Sequence, residues 1–219
     1  MIWGEQQCLL GGMEDMMKYY VVDAFTKEHF SGNPAGVCVM EKWKSNDIMQ
    51  KIGFENNLAE TAFLVENHDH YDLRWFTPEV EIDLCGHATL ATAHIIFTEL
   101  GYAKNVIHFH TLKAGTLTVT KENELYSLDF PSRPSLPAEL PDGLLAALGS
   151  KIPIEVLSSR DYMLVYENEA DVLAIKPDFG ALAKLPIMGV IVTAKGDHSD
   201  FVSRFFIQSA GINEDPVTG

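Results

Sequence analysis

The sequence predicts an α+β protein in which short strands curl round one buried helix. Three observations lead there. The run Gly86–Leu100 is apolar on nearly every face, a pattern only a helix buried all round can carry. Short strand-like runs flank it on both sides, too many for a single flat layer. The stretch Pro131 to Pro141 holds four prolines and reads as a linker. The chain therefore divides into an N-terminal extension (1–17), a first domain (18–130) and a second domain (131–219).

Residues 1–17 show no convincing periodicity, and Met13, Met16 and Met17 precede the first strand-like run, so this extension is expected to be poorly ordered. Tyr19–Phe25 reads as a strand, followed by the turn signal Ser31-Gly32-Asn33-Pro34 and a buried strand over Ala35–Met40. Ser45 is placed to cap a helix running to about Glu55, with Ile48, Met49 and Ile52 on one face. Thr61–Val65 and Tyr71–Phe76 follow as strands around a polar turn. Beyond the apolar helix come strands at Val106–His110, Thr116–Thr120 and Leu125–Phe130. After the linker the pattern predicts a helix over about Asp142–Leu148. Strands follow near Tyr162–Tyr166, Val172–Ile175, Gly189–Thr193 and Phe201–Ile207.

Composition removes several functions. Acidic residues outnumber basic ones 31 to 16, giving a formal charge of −15. Nucleic-acid binding and anionic membrane surfaces both require basic clusters, and the sequence has none. The partners left are a small molecule or a second copy of the chain, that is, a homodimer. Three widely spaced cysteines, Cys8, Cys38 and Cys85, exclude a disulfide framework and any C-x-x-C site, which fits a reduced, cytoplasmic setting. No secretory signal is visible, and the apolar stretch Leu84–Thr98 is too short to span a bilayer. Nucleotide, dinucleotide, α/β-hydrolase and zincin motifs are all missing.

Local chemistry concentrates at a few positions. Gly86-His87-Ala88-Thr89 opens the apolar helix, where unpaired N–H groups and the positive dipole end suit a carboxylate or phosphate. The competing explanation is that Asp83 simply caps this helix. Cys85 sits at the same start, where a thiolate is favoured, although a small buried hydrophobe also fits. Glu60 stands between Asn56-Asn57 and an apolar strand. A partly buried carboxylate there gains the raised pKa of a general acid/base, whereas a solvated one is only a strand end. Two H-x-H pairs, His68/His70 and His108/His110, have metal-ligand spacing, but neither pair has a third ligand at matching spacing, so no metal is expected. His94 is expected to be a hydrogen-bonded core histidine.

Five segments taken together resemble one family. They are Asp23-Ala24-Phe25, Gly32-Asn33-Pro34-Ala35-Gly36-Val37, Asn57-Leu58-Ala59-Glu60-Thr61-Ala62-Phe63, Arg74–Pro78 with Glu81–Thr89, and Glu214-Asp215-Pro216-Val217-Thr218-Gly219. In this order they resemble the PhzF-like isomerases of phenazine biosynthesis, a family with the diaminopimelate-epimerase fold. The resemblance implies two similar domains, each a β-barrel around a central helix, with the active site in a cleft between them. It also implies an isomerase that moves a proton without a cofactor. Glu60 matches the family's catalytic glutamate, His87 its active-site histidine and Asp215 the aspartate of its last motif. Asn33, Gly86, Ala88, Thr89 and Gly219 fall where a small anionic carboxylate substrate is bound.

Two departures keep alternatives open. Related racemases face the substrate carbon with two cysteines. Here Cys85 falls near the first position and Thr218, whose hydroxyl is far too weak an acid, near the second. An epimerase using Cys85 and a non-catalytic binding homologue are the two competing readings. The family pattern also continues past Gly219 into a second central helix, so the second domain is expected to be incomplete in this chain.

Overall fold

The computed structural model describes residues 2–9, 16–28 and 31–217, in two compact units that divide at Pro131/Ser132. The first unit runs β1 (Ile2–Leu9), β2 (Met16–Ala24), β3 (Asn33–Met40), α1 (Asn46–Asn56), β4 (Glu60–Asn67), β5 (His70–Phe76), β6 (Glu81–Ile82), α2 (Gly86–Thr98), β7 (Val106–Thr111), β8 (Thr116–Glu122) and β9 (Leu125–Asp129). Its sheet has the order β1-β2-β3-β4-β5-β7-β8-β9, with β6 paired to β5. Neighbours are antiparallel except β3/β4 and β5/β7, the two places where a helix carries the chain across.

The sheet curls because α2 demands it. This helix packs on β2, β3 and β4 and also on β9, near the opposite end of the strand order. His87, Ala88, Thr89, Ala91, Thr92, Ala93, Ile95 and Ile96 are all buried, leaving one partly exposed stripe of Gly86, Leu90, His94 and Phe97. Small residues let strands approach closely, and the threonines return their hydroxyls to their own helix: Thr92 donates to the Ala88 carbonyl at 2.7 Å. The core built on α2 takes Val37, Ala62, Leu64, Leu73, Trp75, Ile107 and Phe109 from the strands. On the outer face, α1 covers Cys38, Met40, Phe63 and Phe76 with Met49. That double cover explains why β3 and β4 are continuous apolar runs instead of alternating ones. The α1 start is as read, with Ser45 Oγ accepting from the Ile48 amide.

The second unit contains β10 (Leu136–Pro137), α3 (Leu144–Leu148), β11 (Glu155–Ser158), β12 (Tyr162–Val165), α4 (Glu169–Ala174), α5 (Phe179–Leu182), β13 (Val190–Ala194), β14 (Val202–Ile207) and β15 (Ile212–Asp215). These strands form one sheet in chain order, with β12/β13 the only parallel pair among the described residues of this unit. Leu144, Leu148, Leu164, Val192 and Phe206 form its core. Arg204 ties the last strand down. It forks onto Glu214 at 2.7 and 2.9 Å and donates to the Ile175 carbonyl at 2.7 Å. Helices in the described part of this unit are no longer than six residues.

Two sequence expectations differ from this arrangement. Val172–Ile175, expected as a strand, belongs to α4 and the residue after it. Asn168 caps that helix by accepting from the Asp171 amide, and Glu169 and Asp171 complement its positive end. Within the extension, Ile2–Leu9 pairs as a strand antiparallel to β2. The proline stretch contains the outermost strand β10, where Pro137 stands at an edge that needs no further ladder bond.

Candidate active site

Three pieces of backbone end at one place. Because β3 and β4 are parallel, with Ala35 opposite Glu60, the first residues of both strands lie on the same edge of the sheet. Asn33 opens β3 and Glu60 opens β4, and the first turn of α2 brings Cys85 and His87 to them. Gly32, at φ +88°, makes the turn into β3. A Cβ there would strike the carbonyl oxygen of Ala24, so no other residue fits without strain.

At the centre, His87 Nε2 lies 3.1 Å from Glu60 Oε2. The two atoms approach closely but off the line of a good hydrogen bond. The other ring nitrogen, Nδ1, is 3.3 Å from the Asn33 side-chain amide and 3.4 Å from Cys85 Sγ. Both neighbours can donate to it, which makes Nδ1 the acceptor and puts the ring proton on Nε2, facing the carboxylate. Glu60 is 8% exposed, His87 6% and Asn33 fully buried. Burial pushes the His87 pKa down to about 4, so the imidazole is neutral at pH 7.

The α2 terminus is open to an anion. Asp83 does not cap it. That carboxylate pairs instead with Lys113 Nζ at 2.7 Å, and Cys85 is the N-cap with no side-chain capping bond. The earliest amides, Gly86 to Ala88, precede the first bond of the helix ladder. Thr89 is different: its amide and its hydroxyl both turn to the Cys85 carbonyl. It therefore serves the helix start itself. Asp215 lies half-buried on β15 of the second unit, next to the Glu214–Arg204 pair, and Gly219 lies outside the described residues. His94 is hydrogen-bonded as expected, to the Tyr126 hydroxyl at 3.0 Å, but it is half-buried on the helix and not in the core.

Sequence spacing hides the contacts between these residues. Asn33 and His87 meet across 54 positions, and nothing in local periodicity signals it. Glu60, Cys85 and His87 also place one ligand atom each within 4.8 Å of one another, so the same cluster has the donors for a soft divalent ion.

A family model described as phenazine biosynthesis-like protein matches residues 22–219. An uncharacterized isomerase of Pseudomonas aeruginosa is 48% identical over 200 residues, covering 91% of this chain and 76% of that protein. The phenazine biosynthesis-like domain-containing protein of Homo sapiens is 34% identical over 227 residues, covering 91% and 78%. A crystal structure of a PhzF-family protein from Enterococcus faecalis superposes with TM-score 0.84 at 51% identity, covering 94% of this chain and 78% of that one. With the curled sheet on a buried helix and the Asn33–His87–Glu60 cluster in place, the chain belongs to the phenazine biosynthesis-like, PhzF family.

Proposed function

We propose that this protein is a cofactor-independent isomerase that moves a proton within a small carboxylate metabolite, with Glu60 as the shuttle. One observation carries the reading: a buried carboxylate faces a neutral imidazole beside an uncapped helix terminus. In this reading the ionised Glu60 takes a proton from a carbon next to the substrate's carboxylate or conjugated system. The electron pair left on carbon delocalises into that system. Glu60 then returns the proton to a different carbon, so the product is an isomer and the carboxylate is regenerated. His87, neutral with its proton on Nε2, donates to the charge that develops without first having to lose one of its own. The Gly86 to Ala88 amides hold the substrate anion, and Asn33 keeps the ring oriented.

The test is deuterium uptake. A panel of carboxylate metabolites incubated with the chain in D2O should contain one that gains deuterium, read by mass spectrometry. Glu60→Gln should abolish the uptake while leaving the circular dichroism spectrum unchanged. Uptake at near wild-type rate in that variant sinks the assignment. The Cys85 thiol, 3.4 Å from His87, supports a second reading as an epimerase base. Substrate-protected inactivation by iodoacetamide would favour it over Glu60. A non-catalytic binder would bind a carboxylate and show no exchange at all.

The setting proposed is the cytoplasm, which the small number and wide spacing of the cysteines fit; among the described residues no helix is long and apolar enough to cross a membrane. A homodimer completes the reading, and sedimentation equilibrium checks it.

A further inference from the structure

Away from that cluster, the fold assembles a ligand set that neither H-x-H pair has alone. β5 and β7 run parallel, with Asp72 opposite His110. His70 and Asp72 are two residues apart on β5 and share a face. The His70 and His110 rings stack at 3.7 Å between centroids, and one ligand atom each from His70, Asp72 and His110 lies within 4.8 Å of the other two. His68 and His108, the sequence partners of these histidines, do not join the set, and His108 turns to the Thr118 hydroxyl instead.

From this juxtaposition we propose that His70, Asp72 and His110 form a surface binding site for a borderline divalent transition ion of the Zn2+ class. His70 is oriented for the task. Its Nδ1 donates to Asp69 Oδ1 at 3.0 Å, so the lone pair of the neutral ring sits on Nε2, 3.2 Å from Asp72 Oδ1. Two electron-rich atoms facing at that distance require a cation between them, either a proton or a metal. The separation matches the roughly 3.3 Å between donors in a tetrahedral zinc set with bonds of about 2.0–2.1 Å. Asp69 then plays the part of the carboxylate that fixes tautomer and ring direction behind a ligating histidine. His110 is exposed and reaches the ion by side-chain rotation, leaving the fourth position to water. Two imidazoles select zinc, nickel or copper over magnesium, which prefers oxygen donors.

Calorimetric titration of the full 219-residue chain with Zn2+ alone tests the site, with Mg2+ as the contrasting ion. Saturable Zn2+ binding is expected that weakens at least about tenfold in His110→Ala and about tenfold in Asp69→Asn. His108→Ala, a neighbouring exposed histidine outside the set, should bind as the wild type does. A Co2+-loaded sample should show ligand-field bands without a thiolate charge-transfer band. Absence of saturable binding overturns the proposal, as does equal affinity in His110→Ala. A thiolate band would place the ion on a cysteine, outside this set, and overturn it equally. None of these readouts depends on isomerase activity, so this site and the proton-shuttle reading stand or fall separately.

Discussion

Holding His87 neutral makes the fold sensitive to acid in a calculable way. The ring's ordinary pKa of 6.5 falls to about 4 in the folded chain, because burial leaves the imidazolium without water. At about 1.4 kcal/mol per pKa unit, that difference is worth about 3 kcal/mol. Its sign is fixed by which state binds the proton first. As pH drops below about 6.5 the unfolded chain protonates and the native chain resists, so stability drains away between pH 6.5 and 4. Above pH 6.5 both states are neutral and the full stability is present. Below pH 4 both are charged and no more is lost. Carboxylates titrate in the same window, so wild type must be compared with His87→Gln, which keeps a polar side chain but cannot ionise. Urea unfolding from pH 4 to 7, followed by the fluorescence of Trp75 in the same core, gives both curves. The wild type should lose about 3 kcal/mol more than the variant across that range, whatever constant offset the substitution adds. Parallel curves would refute the reasoning, as would a His87 imidazole found by NMR to titrate near its ordinary value.

Two further substitutions probe how the fold supports the cluster. Gly32→Ala forces a side chain into a left-handed turn against the Ala24 carbonyl, and should cost about 1–3 kcal/mol in urea unfolding while reducing deuterium exchange through misplaced Asn33. Ile95→Ala empties part of the interface between α2 and its surrounding strands, and should destabilise the first unit by about 2–5 kcal/mol in the same assay.

How far the sequence carried depended on the range of each signal. The α2 run was legible because a helix apolar on all sides has few other places to go, and Ser45 was legible because a cap acts within three residues. The same locality misled at Val172, where the β-branched Val172 and Ile175 in an apolar run outweighed the Asn168 cap and the acidic first turn beside it. Strands β1, β10 and β11 carry little apolar alternation, since their order comes from main-chain pairing to a neighbour that only the fold supplies. Asp83 looked like a cap from spacing alone. Its salt bridge to Lys113, 30 residues on, could not be seen from the spacing. Motif likeness named Asn33, Glu60 and His87 as site residues, but their mutual geometry depends on the β3/β4 register.

That register also explains why the chemistry sits at the sheet edge. A parallel pair joined by a crossover helix brings two strand starts together, and strand starts are where backbone groups and side chains are not yet committed to the ladder. The second crossover sends α2 inside the curl, which aims its unpaired amides at those same starts. The residues nearest the edge are therefore buried by the core behind them while remaining adjacent to a positive helix end. Burial keeps His87 neutral and able to donate, and the open amides give an anion its counter-charge. Glu60, His87, Asn33 and Cys85 all belong to the first unit, whereas Asp215 belongs to the second. The Glu60–His87 pair is thus fixed by the core of the first unit. Substitutions in the α2 core should therefore disturb the Glu60–His87 distance, while substitutions at Arg204 should act on Asp215 through the Glu214 strand and leave that distance unchanged.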